Sequence, residues 1–253
     1  MEISDDTLPV PATVPAAQIT ALAVRQAKAG GLVMSLVNAA GSRIESRLEL
    51  LPDHLKDRLE SVTAQALERS YRLAGKTVRA GGPKIGERGH LAMATLTGAL
   101  GGFGGFASAL AELPVTVTVI FRSVQRIAAE YGFDPEDEAV RLECLRVFGS
   151  GGPLARDDGV NTSFLGARVA ITGGTLNRVI AAVAPRFATV LGEKLAAQAV
   201  PLLGSVAGAG INYAFVSYYQ EMAHVRFGLM RLAAVHGAEP VLTAFRAAVD
   251  ARA

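Results

Sequence analysis

Two stretches of this chain, residues 89–111 and 195–220, contain no Asp, Glu, Lys or Arg. Each is longer than the ~20 residues that a helix needs to cross a bilayer. A run of that length without charge has few destinations: it is buried in the protein's own core, or it meets lipid or another protein. Both runs are built of small residues rather than leucine and isoleucine, LAMATLTGALGGFGGFASALA in the first and LAAQAVPLLGSVAGAGINYAFVSYYQ in the second. Gly98 with Gly102, Gly101 with Gly105, and Gly204 with Gly208 repeat at the four-residue spacing that lets two helix backbones approach closely. The pattern predicts two closely packed helices. Asn212 and Gln198 inside the second run, and Pro201 near its start, weigh against a simple spanning helix. Insertion, association with a membrane surface and a tightly packed soluble core are all left open.

Composition narrows the remaining classes. Only 19% of the residues are charged, half are hydrophobic, and the mean hydropathy is positive at +0.31, which excludes disorder for most of the chain. Cys144 is the single cysteine, so an intrachain disulfide framework is excluded, and its apolar surroundings predict a buried core thiol. With 25 basic and 23 acidic side chains the net charge is +2, so no nucleic-acid partner is expected. Residues 1–15 carry acids and prolines where a secretory signal would carry basic residues and an apolar helix. They read as a solvated, disordered tail, and a reducing cytoplasm, with the inner face of the cytoplasmic membrane as an alternative site, is the expected location.

Apolar positions recur at helical spacing through most of the rest. Residues 16–81 read as amphipathic N-terminal helices, interrupted near Gly30–Gly31 and closed by Ala80-Gly81-Gly82-Pro83. Residues 82–253 read as a helical domain continuous with them. Helices are predicted over 114–131, 137–148, 164–182, 185–199, 203–234 and 240–251, with a loop over 150–163 rich in Gly, Pro and Asp. Pro114, Pro135, Pro185 and Pro240 are placed at or near helix starts, with Asp134 as the cap before 137–148. Residues 115–120 alternate as a strand would, yet no second strand-like run exists to pair with them, so helix is expected there too. The fold class is all-α, a multi-helix bundle containing two glycine- and alanine-rich hydrophobic helices.

Motifs that carry chemistry are weak. Gly75-Lys76-Thr77 ends like a phosphate-binding loop, but its first glycine position is Ser70 and no strand precedes it. Gly102, Gly104 and Ala107 fit a loose dinucleotide pattern that helix packing explains equally well. Glu87 with His90 and Glu221 with His224 are E-x-x-H pairs, which place a carboxylate and an imidazole on one helix face. Together with Glu112 and Glu130 they make the ligand inventory of a carboxylate-bridged bundle metal site. Against it, Glu87 is flanked by Gly86 and Gly89, a poor setting for a rigid ligand. No cofactor is expected. Glu112 would lie at the positive N-terminus of a helix beginning at Pro114, with Arg122 two turns on, a capping or ion-pair role. Arg126 and Glu130 stand at i, i+4 and can pair on a solvated face.

Longer blocks say more. Glu112-Leu113-Pro114 after the glycine run, then Arg122-Ser123-Val124, Ile127-Ala128, Gly132 and Cys144-Leu145-Arg146-Val147-Phe148, resemble the EcsC protein family. The family shows a glycine-rich run, an E-L-P step, an R-S-containing helix, a glycine turn and a C-L-x-V-F helix. Lys194 to Pro201, Gly204, Gly208-Ala209 and Ile211-Asn212 resemble its K-x-A-A-Q block, with Ser205 in place of an alanine. Ala223 to Phe227 and Arg231-Leu232 resemble its closing segment, with Ala233-Ala234 where an E-R pair is usual. The resemblance covers residues 82–241. It implies an accessory protein without an established enzymatic activity, and the family's namesake is encoded beside components of an ABC transporter. Glu112, Arg122 and Asn212 are family-motif polar positions of no assigned role.

The functional expectation is a non-enzymatic helical accessory protein that meets a membrane surface or a membrane protein, with lipid as a further partner. The alternatives are a soluble carrier of an apolar ligand such as an acyl chain, and a carboxylate/histidine metalloenzyme. Oligomeric state is left open.

Overall fold

The computed structural model describes residues 13–40, 53–77, 105–150, 175–198 and 204–252, with side chains over 13–29, 57–73, 113–150, 175–192 and 212–252. Among the described residues lie seven helices and no strand: α1 (Ala16–Ala40), α2 (Asp53–Thr77), α3 (Gly105–Glu130), α4 (Glu138–Val147), α5 (Leu176–Gln198), α6 (Gly204–His236) and α7 (Ala238–Asp250). The chain is all-α, as its periodicity predicts, and residues 115–120 are helical within α3.

The centre is α6. It packs against α1, α3 and α7 and touches α4 and α5. Phe215, Val216, Tyr219, Ala223, Val225, Phe227 and Leu229 are closed to solvent and point to several sides of the helix, which only a helix surrounded by others can afford. On the far side of α3, α2 lies against α3 and α5, and α4 caps the junction of α3, α5 and α6. An aromatic cluster joins these layers. The Phe148 ring lies 4.8 Å from Phe187, 5.4 Å from Tyr219 and 6.4 Å from Phe121, linking the end of α4 to α5, α6 and α3.

Two prolines expected at helix starts lie inside helices. α3 begins at Gly105 and runs through Pro114. Pro114 has no N–H for the carbonyl four residues back. The helix nevertheless continues, because Leu113, Val117, Ile120, Phe121 and Val124 form one buried stripe across the proline. Thr118 donates its hydroxyl to the Pro114 carbonyl at 2.7 Å and lies 3.1 Å from the Ser70 hydroxyl of α2. Glu112 is therefore inside α3 and not at its N-terminus, so the expected dipole placement does not occur. α5 likewise runs unbroken through Pro185, joining two predicted helices from Leu176 onward. Val183, Ala184, Phe187 and Ala188 are buried on both sides of an exposed proline ring, and their packing outweighs the lost bond.

The ends of α4 and α7 also shift by a few residues. Asp137, not Asp134, caps α4, its Oδ1 accepting from the Ala139 N–H at 2.8 Å. Asp134 accepts from the Glu136 N–H at 2.9 Å within the preceding turn. α7 starts at Ala238, ahead of Pro240, which falls in the first turn where its missing N–H costs nothing.

The turn after α3 is closed by the N–H of Phe133 on the Ala128 carbonyl at 3.0 Å and of Gly132 on the Ala129 carbonyl at 2.9 Å. This double bond pattern needs a left-handed residue, and Gly132 supplies it at φ 84°. The Phe133 ring then packs on Phe227 of α6 with centroids 5.5 Å apart.

Candidate functional site

Polar side chains on α6 divide into a buried set and a set at its seam with α1. In the buried set, Gln220 donates from Nε2 to the Ser123 hydroxyl at 2.7 Å, and the Tyr218 hydroxyl donates to the Ser150 carbonyl at 3.1 Å. Arg226 donates from Nε to Glu143 Oε2 at 3.0 Å and reaches the same oxygen through Nη2, while Arg146 pairs with Glu143 Oε1. Glu143 is closed to solvent, so its charge is matched by two guanidiniums rather than by water. These groups tie α6 to α3 and α4 and already have partners. Their chemistry is structural.

Next to Glu143, Cys144 is fully buried, as expected. Burial, reinforced by the Glu143 carboxylate and opposed by Arg226, pushes its thiol far above the ordinary thiol range. It is a core residue and not a nucleophile at neutral pH.

At the seam, α1 and α6 run antiparallel. Leu22 sits on Gly228, where an added Cβ would stand 2.6 Å from Leu22 Cδ2. Further along, Arg25 pairs with Glu221 at 2.8 Å. Beside them the His224 ring, nearly buried, meets the Tyr131 ring edge-on at 5.8 Å. Burial raises the Tyr131 phenol above its usual range, with Arg25 opposing and Glu130 and Glu221 adding to the shift. Beyond the ion pair the helices part around a cavity of about 80 Å³ lined by Lys28, Ala29, Tyr213, Ala214, Ser217, Tyr218 and Glu221. That volume is far below the roughly 300–1,000 Å³ of pockets that enclose whole ligands. An acyl chain does not fit in it.

The residues singled out from the sequence are placed as follows. Glu87, His90, Gly98, Gly101 and Gly102 lie outside the described residues, as do the side chain of Glu112 and the contacts of Gly105, Gly204 and Gly208 on α3 and α6. Glu130 pairs with Arg126 at 2.9 Å, as their spacing predicts. Glu221 is held by Arg25 and His224 by Tyr131, and among the described residues no three His, Cys, Asp or Glu side chains stand together to hold a metal ion. Arg122 is exposed on α3, and Asn212 is fully buried on α6. No helix among the described residues is long and apolar enough to cross a membrane. In the second uncharged run side chains are described over residues 212–220, and most of these are buried.

Sequence reasoning did not single out Glu143, Arg25, Lys28, Tyr213 or Ser217. Glu143 left one usable signal: an acid amid Leu142, Cys144 and Leu145, on the apolar face of a short helix, needs a buried cation.

Comparison with known proteins adds one match. No curated protein and no solved structure matches the chain. The model of the EcsC protein family matches residues 34–232, from within α1 through most of α6. The match begins upstream of Gly82, where the motif resemblance starts, and stops before Val241. It spans well over half of the chain and takes in the E-L-P step, the glycine turn and the α4 and α6 blocks, so the chain belongs to the EcsC protein family.

Proposed function

We propose that this protein is a non-enzymatic helical accessory factor that docks on the cytoplasmic face of a membrane or on a membrane protein there, an ABC-type transporter being the partner that the family resemblance implies. The observation that carries this reading is Tyr213. It belongs to the uncharged run of residues 195–220, yet it is 44% exposed, beside the cavity between α1 and α6. Tyrosine, with an apolar ring and a polar tip, suits a membrane interface. The charged groups of the core are spent on holding helices together, which supports a scaffold rather than a catalyst. Association would be peripheral, through an exposed edge of α6, since most of residues 212–220 of its uncharged run are packed inside the bundle.

The test is fractionation of cells expressing the untagged chain, followed by flotation of the purified chain with lipid vesicles. Recovery in the membrane fraction and co-flotation are expected, and Tyr213→Asp should weaken both. A chain found wholly in the soluble fraction, monodisperse and unbound to vesicles or membrane extracts, overturns the proposal.

A further inference from the structure

The cavity between α1 and α6 joins three features. Ala29, Ala214 and Tyr218, all buried, give it an apolar part. Lys28, Ser217 and Tyr213 line it as well, and their side chains end in an ammonium and two hydroxyls. Among the described residues Lys28 has no ion-pair partner, whereas the one acid in the lining, Glu221, is already neutralised by Arg25 at 2.8 Å. The residues lining the cavity thus leave one positive charge without an ion pair, with two hydroxyl-bearing side chains among them. Its volume of about 80 Å³ suits a small group such as a phosphate ester and not a whole chain.

We infer that this notch binds the phosphate of an anionic lipid headgroup, with Lys28 as the charge, Ser217 and Tyr213 as hydrogen-bond donors and the Tyr213 ring resting at the level of the headgroups. The inference rests on the membrane reading above and gives it a site and a lipid class. A cationic headgroup is disfavoured because Lys28 would repel it and Glu221 is taken. A purely apolar occupant would make no use of the ammonium or the hydroxyls. A phosphate satisfies the ammonium and the hydroxyls together.

The test uses the full-length chain with vesicles of phosphatidylcholine alone and with phosphatidylglycerol added. Binding is expected to need phosphatidylglycerol, to fall about fivefold in Lys28→Ala, to be kept in Lys28→Arg and to weaken with salt. Both substitutions are at an exposed position, and unchanged thermal melts will show that folding is intact. Soluble glycerol phosphate, titrated into isotopically labelled protein, forms the second arm. Shifts at Tyr213 and Ser217 that vanish in Lys28→Ala, combined with phosphatidylglycerol-dependent flotation, support the lipid site. The same shifts without any vesicle binding identify a free phosphate ester as the ligand and overturn the lipid source. Vesicle binding indifferent to phosphatidylglycerol and to Lys28 overturns the site while leaving membrane docking standing. No response in either arm overturns the site together with direct docking on lipid.

Discussion

Arg226 on α6 and Glu143 on α4 form an ion pair in which neither side chain is more than 4% exposed. Such a pair is costly to assemble, and the loss of one partner is costlier still, because the other remains charged and buried. Glu143→Gln, which keeps the shape and removes the charge, should destabilise the fold by about 3–5 kcal/mol in urea unfolding. The double change Glu143→Leu with Arg226→Met should recover most of that loss. A Glu143→Gln variant as stable as the parent would show that the network carries no such weight.

Close approach of α1 and α6 depends on Gly228. An added Cβ would lie 2.6 Å from Leu22 Cδ2 and 3.3 Å from Tyr131 Cε1. Gly228→Ala should cost about 1–3 kcal/mol. Combining it with Leu22→Ala, which makes room, should cost less than the sum of the two single changes. Simple additivity in that double-mutant cycle would show that the two positions are not in contact.

Gly132 is constrained twice, by its φ of 84° and by Arg231, whose Nη1 would lie 2.7 Å from a Cβ. Arg231 also donates from Nη1 to the Tyr131 carbonyl at 3.1 Å, and this bond would be disturbed. Gly132→Ala should lower stability by about 1–2 kcal/mol, measured as a lower Tm at unchanged helix content. Gly132→Asn, which tolerates the left-handed region better, should still be impaired because Arg231 fills the space.

Cys144 sets an alkaline limit on stability. Its folded thiol is held well above the usual range by burial, so it stays protonated while the unfolded thiol ionises above pH ~8.5. Unfolding then releases a proton, and stability falls as pH rises past that point, by about 1.4 kcal/mol per pH unit. Chemical denaturation between pH 8 and 10.5 should show this slope in the parent and a shallower one in Cys144→Ala. The native thiol should also resist Ellman's reagent until the chain unfolds. Rapid labelling of the folded protein would contradict the buried placement.

Much of the helical architecture is readable locally. The stripe of α2 that includes Leu59, Ala66 and Leu67 follows the 3.6-residue period, and the whole of α6 is foreseen to within two residues. The errors fall at Pro114 and Pro185, where a local rule gives way to burial on both sides of the ring, at Gly30–Gly31, where α1 runs unbroken through the expected interruption, and at the cap of α4, which is Asp137 and not Asp134. The site was far less legible. Arg25 and Glu221 are separated by 196 positions and meet only because α1 folds back antiparallel to α6. Taken alone, Lys28 reads as one more solvated lysine on a helix. Only the fold sets it beside Ser217 and Tyr213 in the lining of one cavity.

By itself, then, the sequence determined an all-helical chain of the EcsC type, a buried thiol at Cys144, the Arg126–Glu130 pair and two long uncharged runs. These follow from period, spacing and composition, which are properties of neighbours along the chain. The tertiary structure decided that residues 212–220 of the second run lie in the core, apart from exposed Tyr213 and partly buried Ser217. It also decided that Glu143 faces Arg226 and that α1 and α6 close on Gly228 yet part at Lys28. Each of these depends on which helix faces which. That choice is made by side-chain volume and charge matched across distant segments, information that no single window of the sequence contains.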